Sequence, residues 1–191
     1  ANYNITKTEG TLTVTDRDAK YEITVVANSG TEKYDGTEHE VSGFETLTFV
    51  VGGNTYTVEG LSASATGKDA GEYTAEVTGD AVVKDADGND VTKQFTVKTK
   101  NGTLTIEKRN VTLTSETDSK EYDGTALTNG EVTVGGEGFV EGEGATYEVT
   151  GSQTLVGSSA NTFTYELNDG TKEANYNITK TEGTLTVTDR D

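Results

Sequence analysis

Ala1–Asp18 reads ANYNITKTEGTLTVTDRD, and residues 174–191 repeat it letter for letter. Identity over a stretch this long, at an offset of 173, is the mark of a tandem array. The chain is therefore expected to be one complete repeat unit, preceded by the closing segment of the unit before it. A weaker copy lies midway, where Gln94–Ile106 reads QFTVKTKNGTLTI. An aromatic residue, an aliphatic two places later and then Gly-Thr-Leu-Thr recur at Tyr3/Ile5/Gly10, Phe95/Val97/Gly102 and Tyr176/Ile178/Gly183. The unit thus divides into two related modules, 19–108 and 109–191, with 1–18 as the closing hairpin of the preceding repeat.

Each module is roughly 85–90 residues, enough for a modest core. Apolar residues make up 31%, Gly is frequent at 23, and Pro, Cys, Met and Trp are absent. Thr, Val, Tyr and Ile interrupted by Gly suit strands on a half-wet sheet. The lack of Cys excludes a disulfide framework and thiolate chemistry. A net charge of −18 disfavours nucleic acid and anionic lipid, which both require basic surface. The chain has no apolar run of membrane-spanning length, so no membrane insertion is expected.

Within each copy of the repeated motif, Glu9-Gly10 or Asn101-Gly102 reads as a two-residue hairpin loop. Ile5 would then face Val14, Lys7 would face Leu12, and Val97 would face Ile106. A single long kinked strand is the competing reading. Tyr21, Ile23 and Val25 share one face of an opening strand. Leu47, Phe49 and Val51 form a hairpin with Tyr56 and Val58 across Gly52-Gly53-Asn54. Ala75 and Val77 mark a further strand, and Ala81–Val83 leads into the polar turn Asp85–Asp90. In the second module Val111 and Leu113 open, Tyr147 and Val149 follow, and Phe163, Tyr165 and Leu167 match the segment around Tyr73. No stretch sustains a 3.6-residue period. The expectation is all-β: two tandem small β-sandwich-like domains, Ig-like or β-grasp-like, joined without a Gly/Ser linker into an elongated rod of roughly 30 Å per module.

Tyr34-Asp35-Gly36-Thr37 recurs as Tyr122-Asp123-Gly124-Thr125. With the closing (Asn/Gln)-(Tyr/Phe)-x-(Ile/Val)-x4-Gly-Thr-Leu-Thr motif, which includes Asn101, Gly102 and Gly183, it resembles the MBG/YDG-type repeats of large bacterial surface proteins. The resemblance covers both modules. It implies an extracellular, cell-surface or cell-wall-anchored adhesin or fibre in which the repeats act as stalk, and it implies no catalytic residues. The chain departs from such stalks in lacking Pro.

Candidate chemistry is sparse. Asp85, Asp87, Asn89 and Asp90 supply several oxygens in a short loop and form a candidate calcium site. As an EF-hand the loop fails, because Asp90 stands where Gly is required and Thr96 where Glu is. The competing reading is an Asx-rich turn. Gly135–Glu141 only superficially resembles a phosphate loop, since no helix follows. His39 is the sole histidine and has no second His or Cys with which to hold a metal. Tyr34 and Tyr122 are either glycan-stacking platforms or rings packed on the core edge. The reading is a structural stalk or spacer and not an enzyme, holding a distal binding domain away from the cell, with neighbouring repeats as partners. The alternative is a repeat that itself binds host glycan or mucin, or a host protein.

Overall fold

Alternation of β-branched and aromatic residues with Thr, Lys and Glu produces short strands throughout. The structure, a computed structural model describing residues 2–190, contains no α-helix among them. The first set of strands is β1 (Tyr21–Val26), β2 (Gly30–Lys33), β3 (His39–Ser42), β4 (Thr48–Val51), β5 (Asn54–Ser62), β6 (Ser64–Gly67), β7 (Gly71–Ala75), β8 (Thr78–Lys84), β9 (Phe95–Lys100) and β10 (Gly102–Glu107). The second is β11 (Arg109–Ser115), β12 (Asp118–Glu121), β13 (Val132–Gly136), β14 (Ala145–Val149), β15 (Gly157–Ala160), β16 (Phe163–Leu167), β17 (Tyr176–Thr181) and β18 (Thr184–Thr188). Short 3-10 turns at Thr92–Gln94 and Glu173–Asn175 lead into β9 and β17.

The two sets share a plan. β1 lies parallel to β9, and β2 parallel to β10, whose other edge takes antiparallel β7. Correspondingly β11 lies parallel to β17, and β12 parallel to β18, whose other edge takes antiparallel β15. Opening and closing segments are thus two long kinked strands running side by side. The remaining ladders are β3–β6 and β4–β5–β8 in the first set, and β13 on β11 with β14–β16 in the second. Each of these ladders joins strands on the same side of Lys108.

The closing segments are not hairpins. Val97 stands beside Ile23 rather than Ile106, and Ile178 beside Val111. The kinked-strand reading is the one the structure follows. The physical reason is competition for the edge: the opening segment matches the closing one in length and alternation. Gly102 and Gly183 also lack the positive φ that a two-residue turn requires. They serve close approach instead. A Cβ at Gly102 would lie 2.0 Å from the Asn28 carbonyl oxygen, and one at Gly183 would lie 2.4 Å from that of Ser115. Both contacts fall at the kink, where the two long strands cross between half-sheets.

The first copy, at the N-terminus, forms no strand over residues 2–17. Tyr3, Ile5, Leu12 and Val14 are exposed there. The hairpin expected at 1–18 is therefore absent over the described residues, and Ala1 lies outside them. A lone hairpin without a supporting face is marginal in water, and no third strand lies beside this segment. Asp16 and Arg17 alone are tied down: the Gln94 side-chain amide donates to Asp16 at 2.7 Å, and the Arg17 N–H donates to the Gln94 side-chain oxygen at 3.0 Å.

The expected β4–β5 hairpin forms, with Phe49 opposite Tyr56. The counterpart of β7 is β15, not the Phe163 strand. Gly71 and Gly157, at φ 155 and 136, pair with Ile106 and Val187, which occupy the same place in the motif. Val77 falls beyond the end of β7.

Small open sheets pack in layers, in a β-sandwich-like manner. Ile23 and Val25 of β1 and Phe95 of β9 meet Val58 of β5 and Val83 of β8. A second cluster crosses Lys108, joining Leu104 and Ile106 to Val111, Leu113, Phe163 and Tyr176. Leu127, Leu185 and Val187 form a third. Among the described residues no helix is long and apolar enough to cross a membrane.

Candidate functional site

Polar and aromatic side chains converge where the two sets of strands meet. β10 ends at Glu107 and β11 begins at Arg109, so a single residue, Lys108, separates them. Tyr34 follows β2 and is 2% exposed. Its ring meets that of Tyr176 edge-on at 5.6 Å, and Phe139 meets Tyr176 at 5.1 Å. The Tyr34 and Tyr176 hydroxyls both donate to the Glu143 carboxylate, each at 2.5 Å. Burial, reinforced by that carboxylate, pushes the Tyr176 hydroxyl up to about 12 and raises Tyr34 for the same reasons.

A second cluster flanks the rings. Lys172 donates to one Asp69 oxygen at 2.7 Å and the Asn175 amide to the other at 2.9 Å, while Asn175 accepts the Ala70 N–H at 2.7 Å. Lys172, then Asn175, hold the Asp69 carboxyl below its ordinary value. On the opposite flank Lys33 pairs with Glu137 at 3.1 Å. The Asn110 N–H, then Lys33, lower Glu137. Arg109 donates to the carbonyls of Glu137 and Gly138, both at 2.8 Å, anchoring the Gly-rich loop that carries Glu143. The arrangement fixes orientation.

The two Tyr-Asp-Gly-Thr turns have one backbone and different surroundings. Gly36 and Gly124 take φ 78 and 80, as a turn requires. Asp35 accepts the Thr37 N–H at 2.9 Å and its hydroxyl at 2.7 Å, and contacts His39 at 2.9 Å. Asp123 accepts from Thr125 at the same distances and from Lys120 at 2.8 Å. Thr37, with a smaller contribution from His39, lowers Asp35 to about 2, and Lys120 with Thr125 lowers Asp123 further. Tyr34 is enclosed in the joint, and a Cβ at Gly36 would lie 2.9 Å from Val140. Tyr122 is 41% exposed, and a Cβ at Gly124 would meet nothing within 4 Å. Packing is therefore the state of Tyr34, whereas Tyr122 has an open face. Asn101 caps a neighbouring strand end by accepting the Val77 N–H at 2.9 Å.

Asp85 and Asp90, two of the four candidate calcium ligands, accept hydrogen bonds from within their own loop. Asp85 accepts from the N–H groups of Asp87 and Asn89 at 3.0 and 2.8 Å and from the Asn89 amide at 3.0 Å. Asp90 accepts from the Thr92 hydroxyl at 2.6 Å. Among the described residues no group of three or more His, Cys, Asp or Glu is placed to hold a metal ion. The Asx-rich turn accounts for these contacts.

Reading the sequence missed Glu143, Asn175, Asp69, Glu137 and Arg109. One signal was present: the motif carries Tyr176 where the first copy within the unit carries Phe95, and the added hydroxyl is the atom that reaches Glu143. No protein-family model matches the chain, and no curated protein or solved structure matches it.

Proposed function

We propose that the chain is a spacer: two β modules, 19–108 and 109–191, of a repetitive stalk on a bacterial surface adhesin or fibre, with no catalytic role. The observation that carries this reading is the letter-for-letter recurrence of Ala1–Asp18 at 174–191. Repetition that strict serves length or valency. Strand pairing supports it. Because opening and closing strands are parallel, the chain enters a module at one end and leaves at the other. A run such as Tyr21–Lys33 spans about 40 Å at roughly 3.3 Å per residue, less the loss at the kink. The Tyr34–Glu143–Tyr176 contacts and the one-residue connection favour a fixed angle between modules. A surface of net charge −18 keeps neighbouring copies apart.

The test is small-angle X-ray scattering on the intact chain. A stiff spacer has a distance distribution extended to about the summed length of both modules and unchanged by dilution. A globular profile refutes it. The host-glycan reading is supported only by the exposed Tyr122, since Tyr34 is enclosed. Saturable binding to mucin glycans, lost in Tyr122→Ala, would replace the spacer reading with that one.

A further inference from the structure

We propose that Asn129-Gly130 is a self-modifying site: the Gly130 backbone nitrogen attacks the Asn129 side-chain amide, giving the second set of strands a built-in ageing reaction that needs no enzyme. The inference goes beyond the spacer reading and does not depend on it. The chain holds two Asn-Gly pairs, Asn101-Gly102 and Asn129-Gly130. Glycine after asparagine leaves the attacking nitrogen unhindered, because no side chain stands over it. The sequence offers two equal candidates, and the fold separates them.

Gly102 opens β10 and pairs with Ala75 of β7. A Cβ there would lie 2.0 Å from the Asn28 carbonyl oxygen, so neighbouring backbone walls the residue in. Closing a five-membered ring at Asn101 requires the main chain to swing out of that ladder. Asn129 and Gly130 lie instead between the Leu127–Gln153 bridge and the start of β13 at Val132, outside any strand. Gly130 is exposed, and a Cβ on it would meet nothing within 4 Å. Among the described residues its N–H donates to no acceptor. The Asn129 side chain is held for the attack. Its oxygen accepts the Glu131 N–H at 3.1 Å, and its nitrogen donates to Asp118 at 3.3 Å. The first contact stabilises the negative charge that gathers on the oxygen as the carbon is attacked. Asn101 has a comparable donor in the Val77 N–H, so the freedom of the glycine is what distinguishes the two sites.

Base from solvent removes the Gly130 amide proton, and the nitrogen forms a bond to the Asn129 side-chain carbonyl carbon. The bond from that carbon to Nδ2 breaks, and the departing nitrogen takes a proton and leaves as ammonia. Water then opens the resulting succinimide at either carbonyl carbon, leaving aspartate or isoaspartate. Aspartate sets a second carboxylate against Asp118, where an amide donor stood. Isoaspartate reroutes the main chain through the former side chain, adding a methylene and displacing the Asn129 carbonyl. That carbonyl accepts the Asn161 amide at 3.0 Å. Asn161 is wholly buried, and its amide also donates to the Glu116 carbonyl at 2.9 Å. The Asn161 side-chain oxygen has no partner among the described residues. A buried amide already short of one hydrogen bond is then short of a second, where β11 gives way to β12.

The experiment holds the intact chain at mildly alkaline pH and physiological temperature and follows conversion at each asparagine by peptide mass mapping, with a parallel sample in denaturant. The expected result in the folded chain is conversion at Asn129 about tenfold or more faster than at Asn101, since the β10 ladder must open before Gly102 can react. In denaturant the two rates should be nearly equal. Gly130→Ala crowds the nitrogen without meeting a neighbour, so it should slow conversion at Asn129 and leave the melting curve unchanged. The converted fraction, separated by its extra negative charge, should melt at a lower temperature than the unreacted chain. A folded chain in which Asn101 converts as fast as Asn129 overturns the proposal. So does one in which Asn129 stays intact while the denatured chain reacts, and a converted fraction that melts with the unreacted chain overturns the structural consequence.

Discussion

Tyr34 and Tyr122 occupy the same turn, and only one of them has a partner. The Tyr34 hydroxyl donates to the half-buried Glu143 carboxylate, so Tyr34→Phe removes a hydrogen bond to a charged group, which costs about 1.5–3 kcal/mol. Tyr122→Phe should change the denaturation midpoint negligibly. Chemical denaturation of the two variants checks the contrast. The aspartates beside them set the acid limit. Asp35 is held at about 2 against an ordinary 3.8, so its ionised form stabilises the fold above pH 4, and that contribution is lost as the pH falls from about 4 to 2. Asp123 loses its contribution over a range that extends lower still. Denaturation midpoints measured from pH 5 to pH 2 should therefore fall less steeply in Asp35→Asn with Asp123→Asn than in the unaltered chain.

At the level of elements, one sequence has two fates. Leu185 is fully enclosed and Leu12 is bare, so Leu185→Ala should cost about 2–5 kcal/mol while Leu12→Ala stays within about 0.5 kcal/mol. Differential scanning calorimetry on the pair measures it. Alternation made the strands legible: Tyr21/Ile23/Val25 and the Phe49–Tyr56 hairpin stand where the residues place them. Topology was less legible. Asn101-Gly102 carries a strong local turn signal, yet the opening strand seventy-odd positions earlier in sequence captures the closing strand, and no local rule weighs that distant competitor. The same limit hid the joint. Glu143 and Asp69 are ordinary acids in an acidic chain, and only the fold brings them to Tyr34, Tyr176 and Lys172. Gly102 and Gly183 were recognisable as special, but for the wrong reason: they admit a neighbouring backbone and do not reverse the chain.

Across the whole molecule, the joint rests on an aromatic cluster flanked by two ion pairs with exposed lysines. Exposed pairs of this kind contribute little apiece, about 0–1 kcal/mol, and are screened by salt. Orientation should therefore depend on the rings and Glu143 more than on Lys33 or Lys172. Glu143→Ala is expected to uncouple the rotational diffusion of residues 21–107 from that of 109–188 in NMR relaxation, whereas Lys172→Ala should leave it nearly unchanged. The side-by-side parallel run of opening and closing strands has a further consequence when the chain is put under tension from its two ends. The pull then acts along β1 and β9, or β11 and β17, in opposite senses, and the hydrogen bonds between them are sheared together instead of being peeled one at a time. Rupture under shear is cooperative, so single-molecule stretching from the termini should show few, high-force events, and attachment across the antiparallel β14–β16 pair should unzip at markedly lower force.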